Sequence, residues 1–135
     1  MRDRSCLSCQ RKLLKHWSRK YCSNKCQADF RYKDFIRKWF GGRKVETKNI
    51  SRYIRRYLIE TSGDECSRCG WNEIHAITGK VPIEVDHRDG NAENNSLQNL
   101  RLLCPNCHSL TDSFRNLNGG KGRTWRRERL AQLRS

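Results

Sequence analysis

Apolar residues are scarce in this chain of 135 residues. Only 35% of the residues are hydrophobic while 32% are charged, so we expect no large hydrophobic core. Small chains with little core usually depend on bound metals or disulfides to fold. No apolar run approaches the roughly 20 residues of a membrane helix, and the opening Met1-Arg-Asp-Arg lacks the pattern of a secretory leader. We therefore expect an intracellular, cytoplasmic protein of one modest domain or two very small ones.

Acidic residues are also scarce outside the middle of the chain. The formal net charge is +15, and it is unevenly distributed. Residues 1–60 carry 18 Lys and Arg against 5 Asp and Glu, residues 61–115 carry 5 against 8, and residues 116–135 carry 6 against 1. Such basic flanks favour binding to a polyphosphate backbone by counterion release, although a merely solubilising surface is the alternative. No basic helix has a broad apolar stripe, so we expect no membrane role.

Cysteine, in contrast, is abundant, and its eight residues form close pairs. These pairs are Cys6/Cys9, Cys22/Cys26, Cys66/Cys69 and Cys104/Cys107. In an intracellular protein such pairs favour zinc over disulfides. Tetrahedral zinc needs four thiolates at about 2.3 Å, and two short loops can supply them in pairs. We therefore predict two structural zinc sites, with His16 not needed as a ligand because four thiolates are available.

Apolar periodicity predicts two helices ahead of the second cysteine module. One should run from about residue 24 to 40, with Ser23 as its cap and Phe30, Phe35, Ile36 and Trp39 facing inward. Residues 41–49 read as a basic linker with a glycine break. The second helix has apolar residues at helical spacing, namely Ile50, Tyr53, Ile54, Tyr57 and Leu58. Its other face carries Arg52, Arg55 and Arg56, which we expect to contact phosphates.

The second cysteine module has a different pattern. Residues 82–87 alternate as a strand, with Glu84 and Asp86 on one side, and Asp89-Gly90 signals a turn. Residues 97–103 are a second strand candidate. Pro105 suits the first turn of a helix that should run to about residue 114, with Cys107, Leu110 and Phe114 inward. This order of strand, loop, strand and helix brings Asp86, His87 and His108 together. Farther along the chain, residues 125–133 are predicted to form a short basic helix.

These residues have the chemistry that phosphodiester cleavage requires. One divalent ion can neutralise the phosphate and assist the leaving oxygen, and we assign Asp86 and His108 as its ligands. His87 points to the other side of the strand and is left free as a general base, because a neutral imidazole can accept a proton from water. The Asn99 amide can hold two backbone groups at once and thereby pin the long loop. His75 has no matching partner and stays unassigned.

Residues 62–124 resemble an HNH endonuclease of the ββα-metal kind, and more narrowly the small free-standing HNH proteins of phages and bacteria. The segments that carry the resemblance are Cys66-Ser-Arg-Cys69-Gly-Trp71, Ile83-Glu-Val-Asp-His87-Arg-Asp-Gly-Asn91, Asn94-Asn95, Leu97-Gln-Asn99-Leu-Arg-Leu-Leu-Cys104-Pro-Asn-Cys107-His108 and Ser109-Leu-Thr111. The resemblance implies His87 as general base, Asn99 as loop-fixing residue, and Asp86 with His108 as ligands of Mg²⁺ or Mn²⁺. It also implies that the cysteines at 66, 69, 104 and 107 bind structural zinc.

The expected fold is a small, metal-stabilised α+β structure, with a ββα-metal core inside a four-cysteine zinc frame. An N-terminal four-cysteine zinc finger and basic helices should complete it. The predicted divisions are a finger with a basic helix (1–40), a linker with an arginine-rich helix (41–61), the nuclease core (62–115) and a basic C-terminal tail or helix (116–135).

We expect a metal-dependent endonuclease that nicks or cuts duplex DNA in a bacterium or a phage-infected host. The arginines expected to contact DNA are Arg52, Arg55, Arg56, Arg88, Arg101 and Arg115. The alternatives are a non-catalytic zinc-stabilised nucleic-acid-binding module and a packaging or assembly component. A homodimer, or a complex with an accessory phage or host protein, is compatible with the sequence.

Overall fold

The structure is a computed structural model that describes residues 4–42, 50–119 and 124–134. The chain divides into two compact units, Met1–Arg43 and Lys44–Ser135. Helix α1 (Asn24–Phe40) belongs to the first unit. The second unit contains helices α2 (Arg52–Ser62), α3 (Pro105–Ser109) and α4 (Thr124–Arg134), and strands β1 (Glu84–His87) and β2 (Leu100–Leu103). The protein is therefore of the small α+β class, as predicted.

Helix α1 begins and ends at the residues that the sequence predicts. The Ser23 hydroxyl accepts the backbone N–H of Cys26 at 3.1 Å, which satisfies one of the unpaired donors of the first turn. At the other end the Gly41 N–H donates to the Arg37 carbonyl at 3.0 Å. Trp39 is buried, as predicted, and Tyr32 is buried as well. The other three apolar residues predicted to face inward, Phe30, Phe35 and Ile36, are only half-buried.

The segment ahead of α1 is folded around its cysteines. Cys6 is fully buried, and its N–H donates to the Arg11 carbonyl at 2.8 Å. Leu7 N–H donates to the Lys20 carbonyl at 2.9 Å, so the chain leaving Cys9 returns alongside its own beginning. Most of the predicted basic linker, residues 43–49, lies outside the described residues.

Helix α2 packs through a narrow apolar stripe. Ile54 and Leu58 are buried, as the helical spacing predicts, while Tyr53 and Tyr57 are half-buried. The Ser51 hydroxyl accepts the Tyr53 N–H at 3.2 Å and caps the helix. No described helix combines the length and the apolar character needed to cross a bilayer.

Strands β1 and β2 form an antiparallel pair in which Asp86 lies opposite Arg101 and His87 opposite Leu100. Ile83, Leu100, Leu102 and Leu103 are buried. Since Leu102 and Leu103 are adjacent in β2 and face opposite sides, apolar residues are buried on both faces of the hairpin. The predicted strand 97–103 begins three residues late, because Leu97–Asn99 forms a 3₁₀ turn. That turn directs the Asn99 side chain back into the loop, where it makes hydrogen bonds that an extended strand would forgo.

Helix α3 is shorter than predicted, since it ends at Ser109 and not near residue 114. The Ser109 hydroxyl donates to the Asn106 carbonyl at 2.7 Å, and the Thr111 hydroxyl donates to the His108 carbonyl at 2.9 Å. Hydroxyl groups that bind nearby carbonyls in this way compete with continuation of a helix. The inward position predicted for Leu110 is therefore wrong, because its side chain is 63% exposed.

Helix α4 lies where the sequence predicts a basic C-terminal helix, and all but one of its described residues are exposed. Glu93, in the loop after β1, holds its first residue. The Glu93 carboxylate accepts the Thr124 hydroxyl at 2.6 Å and the Thr124 N–H at 3.0 Å. The loop that follows β1 is thus connected directly to a helix rich in arginine.

Candidate active site

The four cysteines of the second module converge as a zinc-binding set. The ligand atoms of Cys66, Cys69, Cys104 and Cys107 all lie within 4.8 Å of one another, and the sulfurs of Cys69 and Cys104 are 3.8 Å apart. Four sulfurs bonded to one zinc ion at ~2.3 Å are separated by about 3.8 Å. The donor set therefore fits tetrahedral zinc.

The electrostatics of this set also suit a cation. Burial raises the pKa of Cys66, but backbone N–H groups of Cys104 and Cys69 donate to its sulfur and bring the pKa down to about 6. In contrast, burial and the neighbouring Cys69 thiol raise the pKa of Cys107 to about 12. Adjacent thiols cannot all ionise without a cation, and zinc supplies that cation and displaces the protons.

The four cysteines of the first module form a second set of the same kind. The ligand atoms of Cys6, Cys9, Cys22 and Cys26 also lie within 4.8 Å of one another. Cys22 is 3.6 Å from Cys9 and 3.4 Å from Cys26, sulfur to sulfur. Both predicted four-cysteine groups are therefore assembled in the structure, and both could hold zinc.

Asp86 and His108, the predicted divalent-metal ligands, face each other between β1 and α3. His108 Nε2 lies 3.7 Å from Asp86 Oδ1. A divalent ion with bonds of roughly 2.1 Å can be reached by both atoms, since their separation is shorter than two such bonds. A carboxylate oxygen and an imidazole nitrogen are suitable donors for Mn²⁺ and related ions. The pair therefore fits the ion that the sequence implies.

Two further side chains hold this pair in place. His108 Nδ1 donates to Glu84 Oε2, which leaves the other ring nitrogen to face Asp86. Arg101 Nε donates to Asp86 Oδ2 at 2.7 Å, which leaves Oδ1 toward His108. Asp86 is buried, with 4% of its surface exposed, so an unpaired charge there would be costly. Arg101 supplies the partner for that charge from the opposite strand position.

His87, the predicted general base, points away from this pair. Its Nε2 is 2.8 Å from Asn95 Oδ1, and its side chain is half-buried. With the Asn95 oxygen as acceptor, His87 Nε2 carries the proton and Nδ1 presents a lone pair. The amide of Asn95 therefore orients the imidazole ring.

Asn99 joins the two ends of the long loop between the strands. Its Nδ2 donates to Asp89 Oδ1 and to the Asn94 carbonyl, both at 2.8 Å. Its Oδ1 accepts the Asp89 N–H at 3.0 Å. The side chain therefore ties the start of the loop to its end. Asn95, which contacts His87, follows directly after one of these anchoring points.

Asp89 is the acceptor at the centre of this loop. Partial desolvation raises the pKa of Asp89, but hydrogen bonds from the Asn94 amide, the Asn91 N–H and the Asn99 amide outweigh it and lower the pKa. The carboxylate is thus held in its charged form. The loop geometry consequently depends on a network of asparagines around one anion.

Arginines line a cleft next to Asp86 and His108. The cleft has a volume of about 480 Å³ and is lined by Arg68, Arg88 and Arg101 together with Asp89, Asp112 and Asn118. Two of the six predicted DNA-contacting arginines, Arg88 and Arg101, therefore lie at the site. Arg68, in the loop between Cys66 and Cys69, is a third.

The other predicted arginines are placed differently. Arg115 stacks on Phe114, with its guanidinium carbon 4.9 Å from the ring centre. Phe114 in turn contacts the His108 ring edge-on at 5.5 Å, so Arg115 reaches the site through one aromatic neighbour. Arg52, Arg55 and Arg56 lie on α2, and Arg56 pairs with Glu60 at 2.6 Å. None of the three lines the cleft.

The sequence alone does not predict a part in the site for four of the residues found there: Glu84, Asn95, Arg68 and Asp89. Glu84 has a signal in the sequence, because it precedes Asp86 by two residues and alternation places both on one side of a strand. Asn95 and Asp89 have a weaker signal, as polar residues of an asparagine-rich loop. Arg68 has none, since its position depends on how the cysteine knuckle packs.

Two comparisons with known proteins give a match to this chain. Residues 66–113 match the family model of the HNH endonuclease. The chain is 32% identical over 95 residues to the H-N-H endonuclease F-TflIV of Escherichia phage T5, and this alignment covers 70% of the chain. The chain spans 40% of the length of that relative. No solved structure matches the chain significantly. The matched segment contains both cysteine pairs of the second module, Asp86, His87, Asn99 and His108, and residues 66–113 of this chain are accordingly a domain of the HNH endonuclease family.

Proposed function

We propose that the protein is a metal-dependent endonuclease that hydrolyses phosphodiester bonds in duplex DNA. The observation that carries the proposal is the placement of Asp86 Oδ1 and His108 Nε2 3.7 Å apart, with His87 on the opposite side of the same strand. The relative from phage T5 bears the name of an endonuclease. The basic flanks supply the charge that a DNA partner requires.

Asp86 and His108 would hold Mg²⁺ or Mn²⁺. The bound ion supplies Lewis acidity at the phosphate and at the leaving oxygen. Glu84 and Arg101 act as positioning residues in this proposal, because each binds the atom of a ligand that does not face the ion. Hydrogen-bonded partners of this kind fix ring orientation and ligand basicity at metal sites.

His87 would take the proton from the attacking water. With Nε2 engaged by Asn95 at 2.8 Å, Nδ1 is the atom available to accept that proton. Asn95 therefore fixes which nitrogen is basic as well as where the ring points. Asn99 contributes indirectly, since it holds the loop that carries Asn95.

The arginine cleft would hold the DNA backbone beside the scissile bond. Guanidinium groups present several donors that match phosphate oxygens. Arg101 contacts Asp86 through Nε, and its terminal nitrogens are the donors that remain for phosphate. Arg88 follows His87 directly in sequence, so it would contact the strand near the attacking water.

The test is cleavage of supercoiled plasmid by the purified chain with Mg²⁺ or Mn²⁺. We expect His87→Ala to lose at least ~100-fold in rate, the usual contribution of a positioned base, while binding of Mn²⁺ measured by calorimetry is retained. Asp86→Ala should lose both cleavage and Mn²⁺ binding. His75→Ala is the matched control, since His75 is exposed and its Nδ1 only accepts two N–H groups of its own turn. Unchanged cleavage in His87→Ala would show that another group is the base.

A non-catalytic nucleic-acid-binding module is the second candidate, and the two basic flanks favour it. Tight binding without cleavage under any divalent ion would support it. Under the nuclease proposal, mild chelation that spares zinc stops cutting before it stops binding.

One centre per chain cuts one strand at a time, so a double-strand break needs a second chain or a second nick. Sequencing of the product ends distinguishes a single nick from a double-strand break.

A further inference from the structure

The segment between the two cysteine pairs of the first unit, residues 11–20, forms an exposed tip that has no assigned role. We call it the fingertip. Two of its apolar side chains are exposed, Trp17 by 66% and Leu14 by 89%. Leu13, by contrast, is buried at 8% and anchors the segment. Tryptophan is enriched on the surfaces through which proteins contact their partners.

The charge of the fingertip has one sign. It contains five basic residues, Arg11, Lys12, Lys15, Arg19 and Lys20, and no Asp or Glu. All five are exposed. The Lys15 ammonium lies 5.7 Å from the centre of the Trp17 ring, and the His16 ring meets it edge-on at 4.8 Å. The aromatic face therefore lies among cationic groups.

The fingertip is held in a defined shape at its ends and at its turn. The sulfurs of Cys9 and Cys22, which flank it, are 3.6 Å apart, so one zinc ion would close the segment. Leu13 N–H donates to the Arg4 carbonyl at 2.8 Å, and Ser18 N–H donates to the Lys15 carbonyl at 3.1 Å. Trp17 lies within that last turn. Because these bonds fix the backbone that carries Trp17, binding need not order that backbone and costs less conformational entropy.

We propose that the fingertip binds nucleic acid at unpaired bases, with Trp17 stacked on a base and the surrounding lysines and arginines on the adjacent phosphates. Aromatic stacking combined with a positive surface is the general mode of binding to single strands. Two exposed apolar side chains are too few for insertion into a bilayer, and the absence of acidic residues in the fingertip disfavours basic protein partners. The surface fits bases and phosphates together.

This inference rests on the proposed DNA partner but not on the cleavage chemistry. It assigns the first unit a preference for distorted or open DNA, such as a bulge, a fork or a single-stranded gap. The full chain with His87→Ala is the appropriate background, because binding can then be measured without cutting. A failure of the cleavage proposal therefore leaves this measurement interpretable.

The experiment measures anisotropy of a labelled oligonucleotide of about 12 nucleotides, within the site size of small single-strand modules. Three probes are compared: a single strand, the intact duplex and the duplex with a central bulge. Trp17→Ala should weaken binding to the single strand and the bulge by roughly 5- to 150-fold, the equivalent of the ~1–3 kcal/mol of one stacked base. Binding to the intact duplex should change by less than about twofold.

Two matched variants separate stacking from simple apolar contact. Trp17→Phe keeps an aromatic face and should retain most of the affinity, whereas Trp17→Leu keeps apolar bulk and should not. Trp17→Ala should leave the salt dependence unchanged, while the double change Lys15→Ala and Arg19→Ala should reduce its slope by about 1.4. Zinc content verifies that each variant is folded.

Three results would overturn the inference. Equal affinity of Trp17→Ala and the parent for all three probes would exclude stacking. Equal losses on the duplex and on the bulge would exclude a preference for unpaired bases. If Trp17→Ala loses binding to vesicles of anionic phospholipid that the parent binds, while its DNA binding is intact, the fingertip would be assigned to a membrane surface.

Discussion

Replacing Asn99 with aspartate should convert the strongest anchor of the loop after β1 into a source of repulsion. Asn99 is buried, with 8% of its surface exposed, and its Nδ2 lies 2.8 Å from Asp89 Oδ1. In Asn99→Asp an oxygen replaces that nitrogen. Two carboxylates would then share one site, and the protein must either separate them or bind a proton between them.

The size of the effect follows from the contacts. Asn99→Ala removes one hydrogen bond to a charged acceptor, which contributes about 1.5–3 kcal/mol. It also removes two hydrogen bonds to backbone groups, which contribute about 0.5–1.5 kcal/mol each. Because Asp89 is exposed and water can replace part of this, we expect a loss near ~2–3 kcal/mol in local stability. Asn99→Asp adds repulsion between charges roughly 4 Å apart, about 1 kcal/mol in water and up to ~4 kcal/mol near a protein surface. At neutral pH Asn99→Asp should therefore be less stable than Asn99→Ala by about 1–2 kcal/mol.

The pH dependence has a definite sign. In the parent the pKa of Asp89 is lowered, so its contribution is present above the unfolded value of ~3.9 and is lost as the pH falls. In Asn99→Asp the shared upper pKa of the pair is raised, so stability is regained as the pH falls and the pair binds a proton. Hydrogen exchange of residues 88–99 at neutral pH and near ~4.5 measures the opening free energy. Equal protection of Asn99→Asp and the parent at neutral pH would refute this reasoning.

Three further predictions concern other parts of the second unit. Gly90→Ala should destabilise the second unit by at least ~1–3 kcal/mol in urea unfolding. Gly90 has φ +71°, and a Cβ there would lie 2.5 Å from Asn118 Oδ1 and 2.7 Å from Ser113 Cβ. An unchanged unfolding midpoint would contradict the packing described. Cys104→Ser should leave one zinc ion per chain where two are expected, and should abolish the cooperative unfolding of this unit, since Cys104 belongs to one of the two converging four-cysteine sets and its sulfur also caps α3. A variant that still holds two zinc ions would count against this proposed ligand set. Glu84→Ala should weaken Mn²⁺ binding by about 10- to 100-fold with zinc content unchanged, while Glu84→Gln, which can still accept from His108 Nδ1, should retain most of the affinity. Equal Mn²⁺ affinities of Glu84→Ala and the parent in calorimetry would remove Glu84 from the site.

The sequence was sufficient for features that depend on neighbouring residues. Ser23 and Gly41 mark the ends of α1 because caps act within one helical turn. The two four-cysteine sets followed from short pair spacing, because a knuckle brings two sulfurs together locally. The hairpin and the positions of Asp86 and His108 followed from alternation and from the Pro105 helix start.

Contacts that depend on register or packing could not be predicted. The pairing of Asp86 with Arg101 requires the strand register, and a shift by one residue would have turned Arg101 to the other face. The contact of His87 with Asn95 depends on a loop conformation that several asparagines determine together. Helix α3 ended early because the Ser109 and Thr111 hydroxyls bind carbonyls, which helical spacing alone does not reveal.

The knuckle that carries Cys66 and Cys69 is tied directly to the second strand. Ser67 donates its N–H at 2.9 Å and its hydroxyl at 2.8 Å to the Leu102 carbonyl. Residues 72–80, which connect this knuckle to β1, are all exposed, and a Cβ at Gly79 would meet nothing within 4 Å. Because residues 72–80 are exposed, they offer an attachment point where a fluorophore or an affinity tag can be inserted without disturbing the hairpin that carries Asp86 and His87.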